Sequence, residues 1–301
     1  MHSHSHTHGH AKTHQIFAWA MAINLCYSAL EAGFGLYYNS MALLSDAMHN
    51  LGDAAGLALA WLAAWMASRA PTERLTFGWR RATLLSPLAN ALLLVVLSGA
   101  LLWESIGRLQ QPPAVPGFAV MWIAALGIVV NLGTASLFHR DQSTDLNKRG
   151  AYLHLLADAA VSMAAVIAGF GIWFAGWNWL DPATGILIAV VVAVSSWGLL
   201  KNSLLQVMDG VPENITIPNV QAYLLALPEV NAVHHVHIWS LGAQEIALTA
   251  HIVRNTSNGH DAFIDATSVG LLKEFGINHA TLQIELGQSC AHDMHDQAPH
   301  Y

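Results

Sequence analysis

Six stretches of the 301-residue chain are each long and apolar enough to cross a bilayer, and no other feature limits its folding as severely. A spanning helix needs about 20 mostly apolar residues. The runs fall at about 15–37, 41–66, 84–106, 117–138, 149–174 and 182–200. Hydrocarbon offers no water to satisfy backbone N–H and C=O groups, so segments of this kind are expected to be helices. Charged residues make up only 10% of the chain, against about a quarter in a soluble domain. The fold class is therefore a helical membrane protein with six transmembrane helices. A net charge of −7 argues against nucleic acid as a partner. The N-terminus, MHSHSHTHGHAKTH, lacks the basic start and apolar run of a signal peptide, so the first helix is expected to stay in the protein.

After Lys201 the character changes. Residues 217–227 and 261–275 read as helices, and 231–241, 245–254 and 280–286 as strands. The order αββαβ implies a small α+β, ferredoxin-like domain. The expected division is a His-rich tail over 1–14, a transmembrane domain over 15–202, a cytoplasmic domain over 203–290 and a C-terminal tail over 291–301. Cys26 lies in an apolar run and Cys290 in a polar tail, so no disulfide framework is expected.

The basic residues set the orientation. Arg69, Arg74, Arg80 and Arg81 occupy the loop between the second and third runs, and Arg140, Lys148 and Arg149 the loop between the fourth and fifth. The loops on the other side hold only Arg108. The positive-inside rule then puts both termini in the cytoplasm. Tyr37, Tyr38, Trp177 and Trp179 fall at the opposite interface.

Polar residues interrupt two of the apolar runs. The second carries His49 and Asp53 and the fifth His154 and Asp158, both as HxxxD. Spacing of i, i+4 places each pair on one helix face. A charge at the bilayer centre costs at least about 2.5–3.5 kcal/mol, so such groups need partners. The two helices run in opposite directions, so each histidine should meet the other helix's aspartate at similar depth. Two nitrogens and two carboxylate oxygens can close a tetrahedron, the geometry of zinc; neutral imidazole disfavours magnesium and calcium. The competing reading is metal-free glue between helices. Asp46, one turn before His49, is either a neighbouring support, a proton carrier or a structural residue. Glu31, Asn90 and Asn131 read as packing residues.

DAMHNLGD (46–53), TFGWRR (76–81), HLLAD (154–158), VHHVHIW (233–239), TAHIV (249–253) and HATLQIE (279–285) together resemble the cation diffusion facilitator family over about residues 15–290. The resemblance implies a homodimer in the bilayer and proton-coupled efflux of metal ions, zinc foremost with cadmium as a possible passenger. It implies that His49, Asp53, His154 and Asp158 are the transport ligands. It also implies metal sites in the cytoplasmic domain at His234, His251 and Glu285, with His260 and His279 as weaker candidates. Ser45 and Ala157 depart from the alanine and glycine common in the family. The 2–3 loop lacks histidine, so the second metal site some members carry there is expected to be absent.

Alternation along a strand puts His235 and His237 on the face opposite or adjacent to His234, so all three are not expected in one site. The N-terminal histidines could gather zinc loosely, and Cys290 and His292 could do the same at the other end. No HExxH-type motif occurs, so an enzyme is not expected. The reading is an exporter of Zn2+ in the bacterial inner membrane, with a membrane-anchored metal sensor as its alternative.

Overall fold

A computed structural model describes residues 7–139, 146–256 and 259–287. Six long helices come first: α1 (Thr7–Tyr37), α2 (Met41–Ala67), α3 (Ala82–Gln110), α4 (Gly117–Ser136), α5 (Leu146–Ala175) and α6 (Leu180–Val207). Then follow α7 (Ile217–Leu225), β1 (Val230–Gly242), β2 (Glu245–Arg254), α8 (His260–Phe275) and β3 (Ile277–Leu286). By length and composition alone, α3, α4, α5 and α6 qualify as membrane spans. Asn24 and Glu31 in α1, and Asp46, His49, Asn50 and Asp53 in α2, dilute the apolar character of the other two. Their outward surface is apolar, as lipid requires: Trp103, Phe174 and Tyr37 are each more than three-quarters exposed. The tails holding the first six residues, Cys290 and His292 lie outside the described residues, as do the side chains of residues 7–18.

The chain forms two compact units. One runs to Leu59 and resumes over Ala89–Leu199; the other joins Ala60–Leu88 to the chain from Leu200 onward.

Within the first unit, α4 and α5 pack with backbones in contact. A Cβ at Gly117 would come within 2.6 Å of the Gly169 carbonyl, and one at Gly169 within 2.6 Å of the Met121 amide. Small residues at a membrane helix crossing permit this approach, because dispersion contact rather than hydrophobicity drives association in lipid. Asp181, at the start of α6, accepts hydrogen bonds from the Met41 and Ala42 amides at the start of α2. A carboxylate from one helix thus satisfies amides that the first turn of another leaves unpaired.

In the second unit, β1 pairs antiparallel with β2 and β2 parallel with β3, in the order β1-β2-β3. The parallel pair needs a crossover, and α8 supplies it. Val220, Leu224, Val236, Ile238, Leu248, Ile252 and Leu271 form the core between helices and sheet. β3 starts at Ile277, three residues before the sequence expectation of 280. Gly276 ends α8 in the left-handed conformation, which lets the chain turn at once into the strand. Asn278 then accepts the Ile246 amide at 2.9 Å. The connection between α2 and α3 packs on the same domain: Arg80 pairs with Glu245, Arg81 with Asp209 at 2.8 Å, and Thr83 Oγ1 accepts the Ala243 amide at 2.9 Å.

Candidate metal centre

The two HxxxD pairs face one another across α2 and α5. His49 Nε2 lies 3.6 Å from Asp158 Oδ1, and His154 Nε2 lies 3.4 Å from Asp53 Oδ2. Within each helix, His49 Nδ1 is 3.6 Å from Asp53 Oδ2, and His154 Nε2 is 3.5 Å from Asp158 Oδ2. Each histidine therefore meets both aspartates, the crossed arrangement that opposite helix directions demand. The separations exceed ordinary hydrogen bonds. They are of the order of the roughly 3.4 Å between neighbouring ligand atoms of a tetrahedral ion with bonds of about 2.1 Å. His49 Nδ1, Asp53 Oδ2 and Asp158 Oδ1 are buried with no hydrogen-bond partner among the described residues. Buried polar atoms are normally paired, so three orphans among these four side chains are consistent with a site for a cation.

A cavity of about 480 Å3 leads to the group. Asp53, His154 and Asp158 line it together with Asn24, Asn50 and Asn90. Its other walls include Ala20, Leu57, Phe138 and Gly150, so it opens toward the end of the helices where α4 finishes and α5 begins. His154 is half exposed in this cavity, while the Asp158 side chain is 3% exposed beneath it.

Asp46 and Glu31 lie farther along, away from the cavity, and both are wholly buried. Asp46 accepts from Ser162 Oγ on α5 at 2.7 Å and from Asn50 Nδ2 at 3.2 Å. Tyr27 donates to Glu31 Oε1 at 2.8 Å. Gly127 on α4 makes room for this hydroxyl, because a methyl there would overlap it and lie 3.1 Å from Ser162 Oγ.

A second cluster occupies the sheet. His234 Nε2 is 3.0 Å from Glu285 Oε2, and His251 Nδ1 is 2.8 Å from Glu285 Oε1. Gln283 adds an N–H donated to Glu285 Oε1 at 3.1 Å. His235 joins them: its Nδ1 lies 3.3 Å from His234 Nδ1, and its ring centre 4.9 Å from that of His251. Ligand atoms of His234, His235 and His251 all lie within 4.8 Å of one another.

This arrangement corrects the expectation from strand alternation. His234 pairs with His251, but the next pair is His237 with Thr249, so β1 carries one more residue than β2 across this stretch. His235 sits in the bulge with φ of 50°. A bulge re-aims the side chain it carries, and His235 turns back toward His234. The histidine pair within the strand was visible in the sequence; the bulge was not. His237, past the bulge and paired with Thr249, is exposed and stays outside the group of close ligand atoms. Of the weaker candidates, His260 directs Nε2 to the Thr256 carbonyl at 3.1 Å, and His279 stands edge-on to Phe77 with ring centres 5.5 Å apart. Neither belongs to the group of histidines with mutually close ligand atoms found among the described residues.

Residues 17–208 match the family model described as the cation efflux transmembrane domain, and 212–286 the one described as the cation efflux protein, cytoplasmic domain. The chain is 36% identical to the zinc transporter ZitB of Escherichia coli (strain K12) over 279 residues, covering 92% of this chain and 89% of that protein. It is 34% identical to the metal cation efflux system protein CzcD of Cupriavidus metallidurans (strain ATCC 43123 / DSM 2839 / NBRC 102507 / CH34), over 100% of this chain and 93% of that one. It is also 34% identical to the cadmium, cobalt and zinc/H(+)-K(+) antiporter of Bacillus subtilis (strain 168), covering 86% and 85% of the two chains.

Proposed function

The chain belongs to the cation efflux family, and we propose that it exports Zn2+ from the cytoplasm across the inner membrane in exchange for protons. The observation that carries this reading is the crossed quartet of His49, Asp53, His154 and Asp158, with its three orphaned atoms. Cadmium, also a soft, d10 dication, is a secondary cargo. The relatives are named for zinc, for metal cations, and for cadmium, cobalt and zinc, which supports a cargo of this class.

Zn2+ binding requires neutral imidazole and ionised carboxylate, so affinity depends on pH. With the basic loops in the cytoplasm, the cavity opens inward. Neutral His49 and His154 and ionised Asp53 and Asp158 take the ion from it. Its charge is offset by the two carboxylates, which have no Lys or Arg to neutralise them: residues 19–67 and 150–200 contain neither. When the helices rock and the site opens outward, protons bind the ligands, lower the affinity and release the ion. The protonated site then returns inward. Two protons per ion make the cycle electroneutral.

The cytoplasmic domain joins two copies of the chain as a homodimer. His234, His235, His251 and Glu285 bind metal there and report its level in the cytoplasm. This pool is regulatory, because the domain's own fold gives it no path across the membrane.

The test is Zn2+ uptake into proteoliposomes under a pH gradient, comparing wild type with Asp53→Ala and Asp158→Ala. Gradient-driven uptake lost in both variants supports the exporter. Uptake surviving both removes the quartet as the transport site. No uptake in the wild type, with Zn2+ still bound by the cytoplasmic cluster, makes the protein a membrane-anchored sensor.

A further inference from the structure

Glu31 is a buried carboxylate that this transport reading does not use. It is wholly buried, and its Oε2 has no hydrogen-bond partner among the described residues. Its other oxygen is held by Tyr27 of the same helix, whose hydroxyl also lies 3.1 Å from the Ile123 carbonyl of α4. Asp46 of α2, also wholly buried, reaches the same space: its donor Ser162 Oγ and the Tyr27 hydroxyl both border Gly127.

The charges facing this pair come from few places. Tyr27 lies on α1, Asp46 and then His49 on α2, and Asp158 on α5, the last two acting on Asp46. α4 presents a glycine and a carbonyl. No lysine or arginine occurs in residues 19–67, 117–139 or 150–200. Two carboxylates buried together without a cation cannot both stay ionised, since each charge opposes the other in a medium that solvates neither. Asp46 has two donors, from Ser162 and Asn50, and these stabilise its charge. Among the described residues Glu31 has one neutral donor and an oxygen with no partner, so the proton of the pair belongs on Glu31.

The location gives that proton a use. The open cavity reaches the quartet from one side, and Glu31 and Asp46 lie on its closed side. Asp46 is one helical turn from His49, and its donor Ser162 is one turn from Asp158. A change in charge at the quartet is therefore felt at Asp46, and through it at Glu31.

We propose that Glu31 is a proton carrier of the transport cycle, loaded when the quartet is empty and unloaded when the dication enters. This inference rests on the proton-exchange reading above. With Zn2+ bound, the added positive charge stabilises the ionised pair, and the Glu31 proton leaves toward the side that is open. When the emptied site faces outward, Glu31 takes a proton from that side and carries it back. Glu31 is a proton-handling residue and not a metal ligand: its held oxygen faces Tyr27 rather than a residue of the quartet.

The experiment counts protons against Zn2+ in proteoliposomes holding the full chain, for wild type, Glu31→Gln and Glu31→Asp. Glutamine keeps the shape and the Tyr27 contact but cannot titrate. The expected result is that Glu31→Gln moves about one proton fewer per Zn2+, with a flattened pH profile and a new dependence on membrane potential, while Glu31→Asp restores the wild-type count. An unchanged count and profile in Glu31→Gln overturns the inference and leaves the exporter standing. A wild type that moves no protons with Zn2+ overturns the exchange reading itself. Should Glu31→Gln fail to fold, difference infrared spectra of wild type and Tyr27→Phe decide. A protonated carboxyl band lost on Zn2+ binding, and shifted by Tyr27→Phe, supports Glu31; a spectrum without that band overturns it.

Discussion

Asp181 on α6 accepts the Met41 amide at the start of α2 at 2.7 Å, across 140 residues of sequence. Its second oxygen takes the Ala42 amide at 3.2 Å and the Ser40 hydroxyl. This one carboxylate fixes where α2 begins, and so sets the height of His49 and Asp53. Replacing a capping residue with alanine costs about 0.5–2 kcal/mol, and here it also strands buried donors. Asp181→Ala should lower the thermal midpoint in detergent and weaken Zn2+ binding at the membrane site. Asp181→Asn, which keeps one acceptor oxygen, should fall between. Fluorescence-monitored melting with and without Zn2+ checks both.

His49→Asp exchanges a nitrogen ligand for a hard oxygen. Ligand softness governs selection among divalent ions. The variant should lose Zn2+ preference and gain Mn2+ transport, with Zn2+ affinity down at least about tenfold. Competition between the two ions for uptake would reveal the change.

Gly127 admits the Tyr27 hydroxyl to the space between α1, α4 and α5. Gly127→Ala overfills it, at a typical cost of about 1–3 kcal/mol. Transport should slow along with the loss of stability. Adding Tyr27→Phe should recover part of the stability, because the hydroxyl is the atom most overlapped. A double-mutant cycle in melting free energy measures the coupling.

In the cytoplasmic domain, His235→Ala should weaken Zn2+ binding by at least about tenfold, as should Glu285→Ala, whereas His237→Ala should leave it unchanged. The measurement is equilibrium Zn2+ binding to the full chain carrying Asp53→Ala and Asp158→Ala, so that the membrane quartet does not contribute. Equal losses for His235→Ala and His237→Ala would mean that the bulge does not form the site.

Arg81 and Asp209 are paired at 2.8 Å, but both are more than half exposed. Such pairs contribute about 0–1 kcal/mol. Arg81→Ala should shift the melting midpoint little, and less still at high salt.

The sequence by itself determined the helices, the αββαβ order and the intramembrane quartet. These rest on local or periodic signals: apolar runs of membrane length, strand alternation, and two HxxxD pairs whose spacing leaves one possible face. Even the crossed pairing of His49 with Asp158 follows from the two helix directions. Tertiary structure decided what depends on residues distant in the chain. The α2–α3 connection joins the cytoplasmic domain through Arg80, Arg81 and Thr83, a grouping no linear boundary near residue 202 could show. His235 reaches His251 because β1 gains a residue against β2, and a bulge belongs to the pairing of two strands rather than to either one. Glu31 read as packing glue until its neighbours were placed. A lone carboxylate in an apolar run has no stated chemistry; the burial, the unpartnered oxygen and the nearby Asp46 charge that give it one arise only when α1, α2, α4 and α5 close around it.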